Sequence, residues 1–271
     1  MARPLWFRNL LKVAFPSRFL LAEMTKIPLV GNLVDHYLFR GDSILYLVQD
    51  KVIPVDEQVE TQEETVLPSQ VVEYFINQAS DVWIMDTCIC RDASHCTDYP
   101  IDLGCLFLGG AANGINPQLG RRVTTEEALE HAQRCREAGL VHMIGRNKLD
   151  TVWLGVGPGE RLLTICNCCP CCCLWRMLPQ LAPEIGAKIA RMPGVTVSVT
   201  DQCQGCGTCA EGVCFVDAIQ LVEGRAFISD ACRGCGRCVD VCPEGAIRLA
   251  IDDPRLVDSS IQVLSSLVDV S

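Results

Sequence analysis

The chain has 271 residues, 19 of them cysteine, and a formal net charge of −10. That cysteine share is several times the ordinary one, yet the chain is too long for a small disulfide-stapled scaffold, and the odd count argues against a complete set of disulfides. A hydrophobic content of 49% with only 21% charged residues excludes a disordered protein, and an acidic body argues against nucleic acid as a partner.

Residues 1–40 reverse the sign: Arg3, Arg8, Lys12, Arg18, Lys26 and Arg40 stand against only Glu23 and Asp35. Leu5-Trp6-Phe7, Leu10-Leu11, Phe15 and Phe19-Leu20-Leu21 alternate with these bases. The pattern predicts a basic, amphipathic lead-in over residues 1–66, broken at Pro16. It suits a membrane surface, a partner subunit, or the protein's own core. No apolar run reaches the roughly 18 residues that span a membrane. Arg8, Lys12 and Pro16 interrupt any secretory signal. The expected compartment is the reducing cytoplasm, with peripheral membrane association through residues 1–40 as an option. In that compartment clustered cysteines bind metal more often than they pair.

Residues 67–200 read as an α/β, cysteine-rich domain. Pro68 opens a helical pattern with Val71, Val72, Phe75 and Ile76 on one face. Val82-Trp83-Ile84-Met85 reads as a buried strand. Thr124 and Glu127 form a capping box, and the helix it starts stops at Gly139. Thr151 to Leu154, Arg161 to Ile165 and Val195 to Val199 read as strands, and Pro183 to Arg191 as a helix. Gly155-x-Gly157-x-Gly159 lacks the helix and acidic residue of a dinucleotide site and reads as a turn. After Pro254, Ile261, Val263, Leu264, Leu267 and Val268 predict a tail helix within 251–271.

Residues 201–250 carry an internal repeat. Cys203-x2-Cys206-x2-Cys209-x4-Cys214 is followed by Cys232-x2-Cys235-x2-Cys238-x3-Cys242-Pro243, and Ala218-Ile219 recurs as Ala246-Ile247. Gly205, Gly207, Gly234 and Gly236 supply the tight turns that a chain wrapped around a cluster needs. Zinc ribbons also use paired C-x2-C, but not three evenly spaced cysteines with a distant fourth.

These 50 residues resemble the bacterial two-cluster ferredoxins, a small α+β fold. The resemblance implies two [4Fe–4S] clusters, with the fourth cysteine of each run on the other cluster. One would then be held by Cys203, Cys206, Cys209 and Cys242, the other by Cys232, Cys235, Cys238 and Cys214. The first run departs from the family spacing, with one extra residue before Cys214 and Phe215 in place of proline. That departure puts the Cys214 ligand, or its cluster's potential, in question.

A second concentration lies upstream: Cys88-Ile-Cys90-Arg91, then His95, Cys96 and Cys105, and later Cys166-Asn-Cys168-Cys169-Pro-Cys171-Cys172-Cys173. Both runs follow predicted strands, whose ends would bring them together. A helix from Pro170 would put Cys171 to Cys173 at its N-terminus, and Arg91 would favour thiolate. A further Fe–S cluster, a redox dithiol and zinc are all open readings. Cys88, Cys90, Cys168 and Cys171 are the first choice of ligands, with Cys96, Cys105, Cys166, Cys169, Cys172 and Cys173 as alternates. Cys135 reads as a buried small hydrophobe. Cys-x-Cys-Arg, Gly-Leu-Val-His (139–142) and Cys-Asn-Cys-Cys-x-Cys-Cys-Cys together are similar to a group of iron–sulfur proteins from anaerobes, which implies cluster content and no particular reaction.

The expectation is an iron–sulfur electron-transfer protein that works as component or partner of a larger redox enzyme. In the alternative, the cysteine-rich middle domain is a reductase site fed by the ferredoxin tail. Cluster or sulfur delivery is a third option.

Overall fold

The structure, a computed structural model, describes residues 2–53 and 67–271. The last part of the predicted lead-in, 54–66, lies outside the described residues. Its central element is a seven-stranded sheet in the order β4-β2-β3-β6-β5-β1-β7. The strands are β1 (Ser43–Tyr46), β2 (Val82–Met85), β3 (Leu106–Leu108), β4 (Gly120–Arg122), β5 (Val141–Arg146), β6 (Leu163–Cys168) and β7 (Ile189–Arg191). Neighbours are antiparallel except β1 and β7. The layering of helices on a sheet is therefore present, but built largely from antiparallel pairs, and it includes a strand from the lead-in.

Alternation along each strand sorts the two faces. Leu106, Leu108, Leu163, Ile165 and Ile144 pack with helices Ser69–Gln78, Thr125–Glu137 and Leu256–Ser265 in an aliphatic core. Met143, Cys168, Ile44 and Tyr46 point the other way, toward Ala22, Phe39 and Trp175. The capping box closes as predicted, with Thr124 Oγ1 accepting from Glu127 N–H at 3.2 Å and Thr124 N–H donating to Glu127 at 2.9 Å. Gly139 follows that helix at φ 74°.

Three local expectations fail. Residues 151–154 end a helix, Lys148–Leu154, and are not a strand. Asn147 caps its start by accepting from Leu149 N–H, and Gly155 in the left-handed region closes it. Caps at both ends outweigh the β preference of Thr, Val and Trp. The helix over 183–191 stops at Gly186, and Ile189–Arg191 instead pairs in parallel with β1. No helix starts at Pro170. A 3₁₀ helix spans Leu174–Gln180, and the Cys173 thiol caps it by accepting from Trp175 N–H at 3.4 Å.

The C-terminal module contains β8 (Val195–Val199), the hairpin β9 (Ile219–Val222) and β10 (Arg225–Ile228), and β11 (Ile247–Ile251), which pairs with β8. Glu223 and Gly224 both have positive φ at the hairpin tip, matching a right-handed strand twist.

The lead-in holds helices Leu5–Ala14, Arg18–Met24 and Pro28–Val34 before β1. β1 lies so close to β5 that a Cβ on Gly145 would sit 2.1 Å from the Ser43 carbonyl oxygen. Gly145→Ala should therefore cost about 1–3 kcal/mol, read as a lowered denaturation midpoint of the anaerobic protein.

Candidate iron–sulfur and thiol sites

All 19 cysteines are free thiols in the structure. Those of the module surround two hollows. Cys203, Cys206, Cys209 and Cys242 line the first, and Cys214, Cys232, Cys235 and Cys238 line the second. The last cysteine of each run thus stands with the first three of the other. Backbone amides point at four of the sulfurs. Ala218 N–H donates to Cys214 Sγ and Ala246 N–H to Cys242 Sγ, each at 3.3 Å, while Ala226 N–H and Gly234 N–H reach Cys203 and Cys232 at 3.4 Å. Such amides stabilise thiolate and tune a bound cluster. Gly205, Gly207, Gly234 and Gly236 all have φ between 67° and 84°, which permits these turns. Four thiols per hollow with inward amides fit a [4Fe–4S] cluster in chemistry and number. The extra residue of the first run is absorbed before Cys214, where Gly212 adopts φ 68°. Cys214 keeps the same amide contact as Cys242, four residues on in each case.

The middle cysteines divide between two places. Cys88, Cys90, Cys105, Cys166, Cys168 and Cys173 line a cavity of about 370 Å³, roofed by Phe7, Leu11, Phe15 and Leu21 of the lead-in. Cys171 is not in this wall; it stands with Cys96, Cys169 and Cys172, whose sulfurs all lie within 4.8 Å of one another. Cys169 borders both places. The four first-choice ligands, Cys88, Cys90, Cys168 and Cys171, are therefore not grouped as one set. Cys166 and Cys168 share a sheet face because they are two residues apart on β6. Continuing the β3–β6 register by one pair sets Cys105 opposite Cys166. Cys173 Sγ lies 3.2 Å from Cys168 Sγ, which also touches Met143 Sδ at 3.5 Å. Cys135 is fully buried against Cys169 and Cys172, and burial pushes its thiol up to about 12. His95 is exposed in a turn at φ 48°.

Arg91 sets the electrostatics of the cavity. Its side chain is 0% exposed; Nη1 donates to Asn167 O at 2.7 Å and Nη2 to Leu103 O, while Nε has no partner. Among the described residues no carboxylate lies within ion-pair distance of it. Burial works against its charge, but the thiols of Cys88, Cys169, Cys105 and Cys168 hold its pKa above the ordinary value. In return Cys88 is lowered to about 7, first by the hydrogen bond from Cys90 and then, against burial, by Arg91. Cys166 is lowered well below an ordinary thiol by hydrogen bonds from Cys105 and Cys168. A buried cation and an unpartnered N–H on the wall fit an anionic occupant, either thiolate or a thiolate-bound cluster. Asn167 orders the same wall: Nδ2 donates to Gly104 O at 2.7 Å and Oδ1 accepts from His142 Nδ1 at 2.8 Å.

One residue that the sequence reading missed links the two regions. Tyr46 on β1 is fully buried, lines the second hollow of the module, and packs in the same apolar cluster as Cys168 and Cys173. Phe215, standing where the family has proline, meets it edge-on with ring centroids 5.6 Å apart. The Phe215 departure was visible in the sequence, but its partner on a strand of the lead-in was not.

The 4Fe-4S binding domain family (Fer4) matches residues 226–248. That match covers Cys232, Cys235, Cys238 and Cys242 and supports at least one [4Fe–4S] cluster; together with the many cysteines it suggests iron–sulfur electron transfer. No curated protein and no solved structure matches the chain. Among the described residues no helix is long and apolar enough to cross a membrane.

Replacing Arg91 by Met should cost about 3–5 kcal/mol in anaerobic unfolding, since it strips the charge from a buried thiolate set. Lys in its place should recover only part, because it lacks the two-pronged reach to Asn167 and Leu103.

Proposed function

We propose that this protein is an electron carrier with two [4Fe–4S] clusters in its C-terminal module, placed to exchange electrons with the thiol-lined cavity of the sheet. When bound, such clusters take up and release single electrons. Cys203, Cys206, Cys209 and Cys242 would hold one, and Cys214, Cys232, Cys235 and Cys238 the other. Cavity thiols from Cys88, Cys90, Cys105, Cys166, Cys168 and Cys173 would hold a further Fe–S cluster, with Arg91 balancing its charge. The observation that carries this reading is Tyr46, which lines the second hollow and packs in the same buried cluster as Cys168 and Cys173.

The acceptor is a partner enzyme or subunit. The lead-in supports docking: among the described residues, ten of the fifteen exposed large hydrophobics lie between Trp6 and Tyr37, including Val13 (81% exposed) and Leu29 (83%). Exposed apolar side chains concentrated in one segment fit a docking surface. The free thiols suit a reducing compartment such as the cytoplasm.

Protein purified without oxygen should contain about twelve iron and twelve acid-labile sulfide per chain, and Cys166→Ser should lower both by about four. About eight in the wild type would remove the cavity cluster and leave its thiols as a redox pair. Values near zero, with the chain folded, would end the electron-transfer reading.

One observation favours the cavity as a reductase site. Asp150 lines it, and burial pushes its carboxyl up to about 7, while it accepts from Trp153 Nε1 at 2.8 Å and Thr164 Oγ1 at 2.9 Å. Protonated below that value, it can deliver a proton to a thiolate leaving group as a disulfide substrate takes up two electrons, one from each cluster that the module would hold. Because the acid form is the donor, disulfide reductase activity should fall as pH rises through about 7. Asp150→Asn should abolish that limb; a profile unchanged by the substitution would discard this reading.

A further inference from the structure

The second thiol group of the middle region is separate from the cavity cluster and from both hollows of the module. Cys96 lies in the turn after helix Ile89–Ala93, and Cys169, Cys171 and Cys172 lie in the turn after β6. Their four sulfurs fall within 4.8 Å of one another, and Cys96 and Cys171 are 3.6 Å apart. A single ion bound by four thiolates at about 2.3 Å places its sulfurs about 3.8 Å apart. A cubane gives each thiolate its own iron and so spreads them wider. All four are free thiols.

The surroundings suit a closed structural site. Cys169 and Cys172 are buried, backed by Leu103, Cys135 and Leu140, while Cys96 and Cys171 are half-buried and leave a path from solvent. Hydrogen bonds hold both loops: Cys96 N–H donates to Arg91 O at 2.9 Å, and Arg176 Nη1 donates to Cys171 O at 3.2 Å. With four protein ligands no position remains for substrate.

We infer that Cys96, Cys169, Cys171 and Cys172 bind one divalent metal ion, zinc or one that zinc can replace, in tetrahedral thiolate coordination. The ion ties the Cys88–Cys105 loop to the Cys168–Cys173 loop. The inference rests on no part of the electron-transfer reading, because it is read in zinc and not in iron.

The test is metal analysis of the full-length protein, made in zinc-replete medium and purified anaerobically. About one zinc per chain is expected, absent from the Cys96→Ser/Cys171→Ser double variant, whose iron and sulfide should equal those of the wild type. X-ray absorption at the zinc edge of the wild type should show four sulfur neighbours at about 2.3 Å; this decides the matter alone if the double variant does not fold. Wild-type protein that lacks zinc and takes up none when Zn²⁺ is added would overturn the assignment. So would a shell containing nitrogen or oxygen, or loss of about four iron in the double variant, which would mark a cubane at this place.

Discussion

A guanidinium with no exposed surface and, among the described residues, no carboxylate partner sits in the cysteine-rich region, with sulfur as its charged surroundings. Isolated in a low-dielectric interior, such a cation would cost several kcal/mol even after relaxation. Arg91 is tolerated because Cys88, Cys105, Cys168 and Cys169 surround it and because two main-chain carbonyls take its Nη groups. The dependence runs both ways at Cys88, whose thiol is lowered first by the hydrogen bond from Cys90 and then by the cation. Much of the fold serves this arrangement. β3 and β6 present Cys105, Cys166 and Cys168 on one face, Asn167 orients the Arg91 carbonyl acceptor, and the lead-in helices close the cavity above.

The same alternation that puts thiols on one face puts Tyr46 beside them. β1 comes from the lead-in, pairs with β5 and β7, and turns Ile44 and Tyr46 toward the cysteines while Leu45 joins the aliphatic core. Phe215 then seats the module on Tyr46. Further ties are Gln49 N–H to Cys235 O at 3.1 Å, and Arg237 to Gly139 O at 2.8 Å and to Tyr99 Oη at 3.0 Å. The module is therefore anchored to the sheet by its second hollow, while Cys206 beside the first is exposed. An exposed end and a buried end are what a carrier between a partner and an internal site requires.

What could be read from the residues was whatever depends on short range. The spacing within each four-cysteine run, the capping box at Thr124, the buried faces of helix Ser69–Gln78 and the tail helix all follow from spacings within about a dozen residues. The failures have a different cause. Thr151 to Leu154 have strand-forming side chains, but Asn147 and Gly155 decide the matter from outside that window. Ile189 to Arg191 became a strand because β1, about 145 residues earlier in sequence, offered an edge. The division of the middle thiols is a long-range result of the same kind. Cys171 is three residues from Cys168 in sequence, yet the turn at Pro170 sends the two sulfurs to different sites.

The central claim is that the cavity and the second hollow hold redox centres close enough to interact across Tyr46. Electron paramagnetic resonance of the fully reduced, anaerobic protein tests it most directly. The account predicts that the signal of the centre held by Cys214, Cys232, Cys235 and Cys238 is broadened by a paramagnetic neighbour in the wild type. In Cys168→Ser it should narrow to the spectrum of the module's two clusters coupled only to each other. A wild-type spectrum identical to that of the variant, with both proteins holding the same module clusters, would contradict the account.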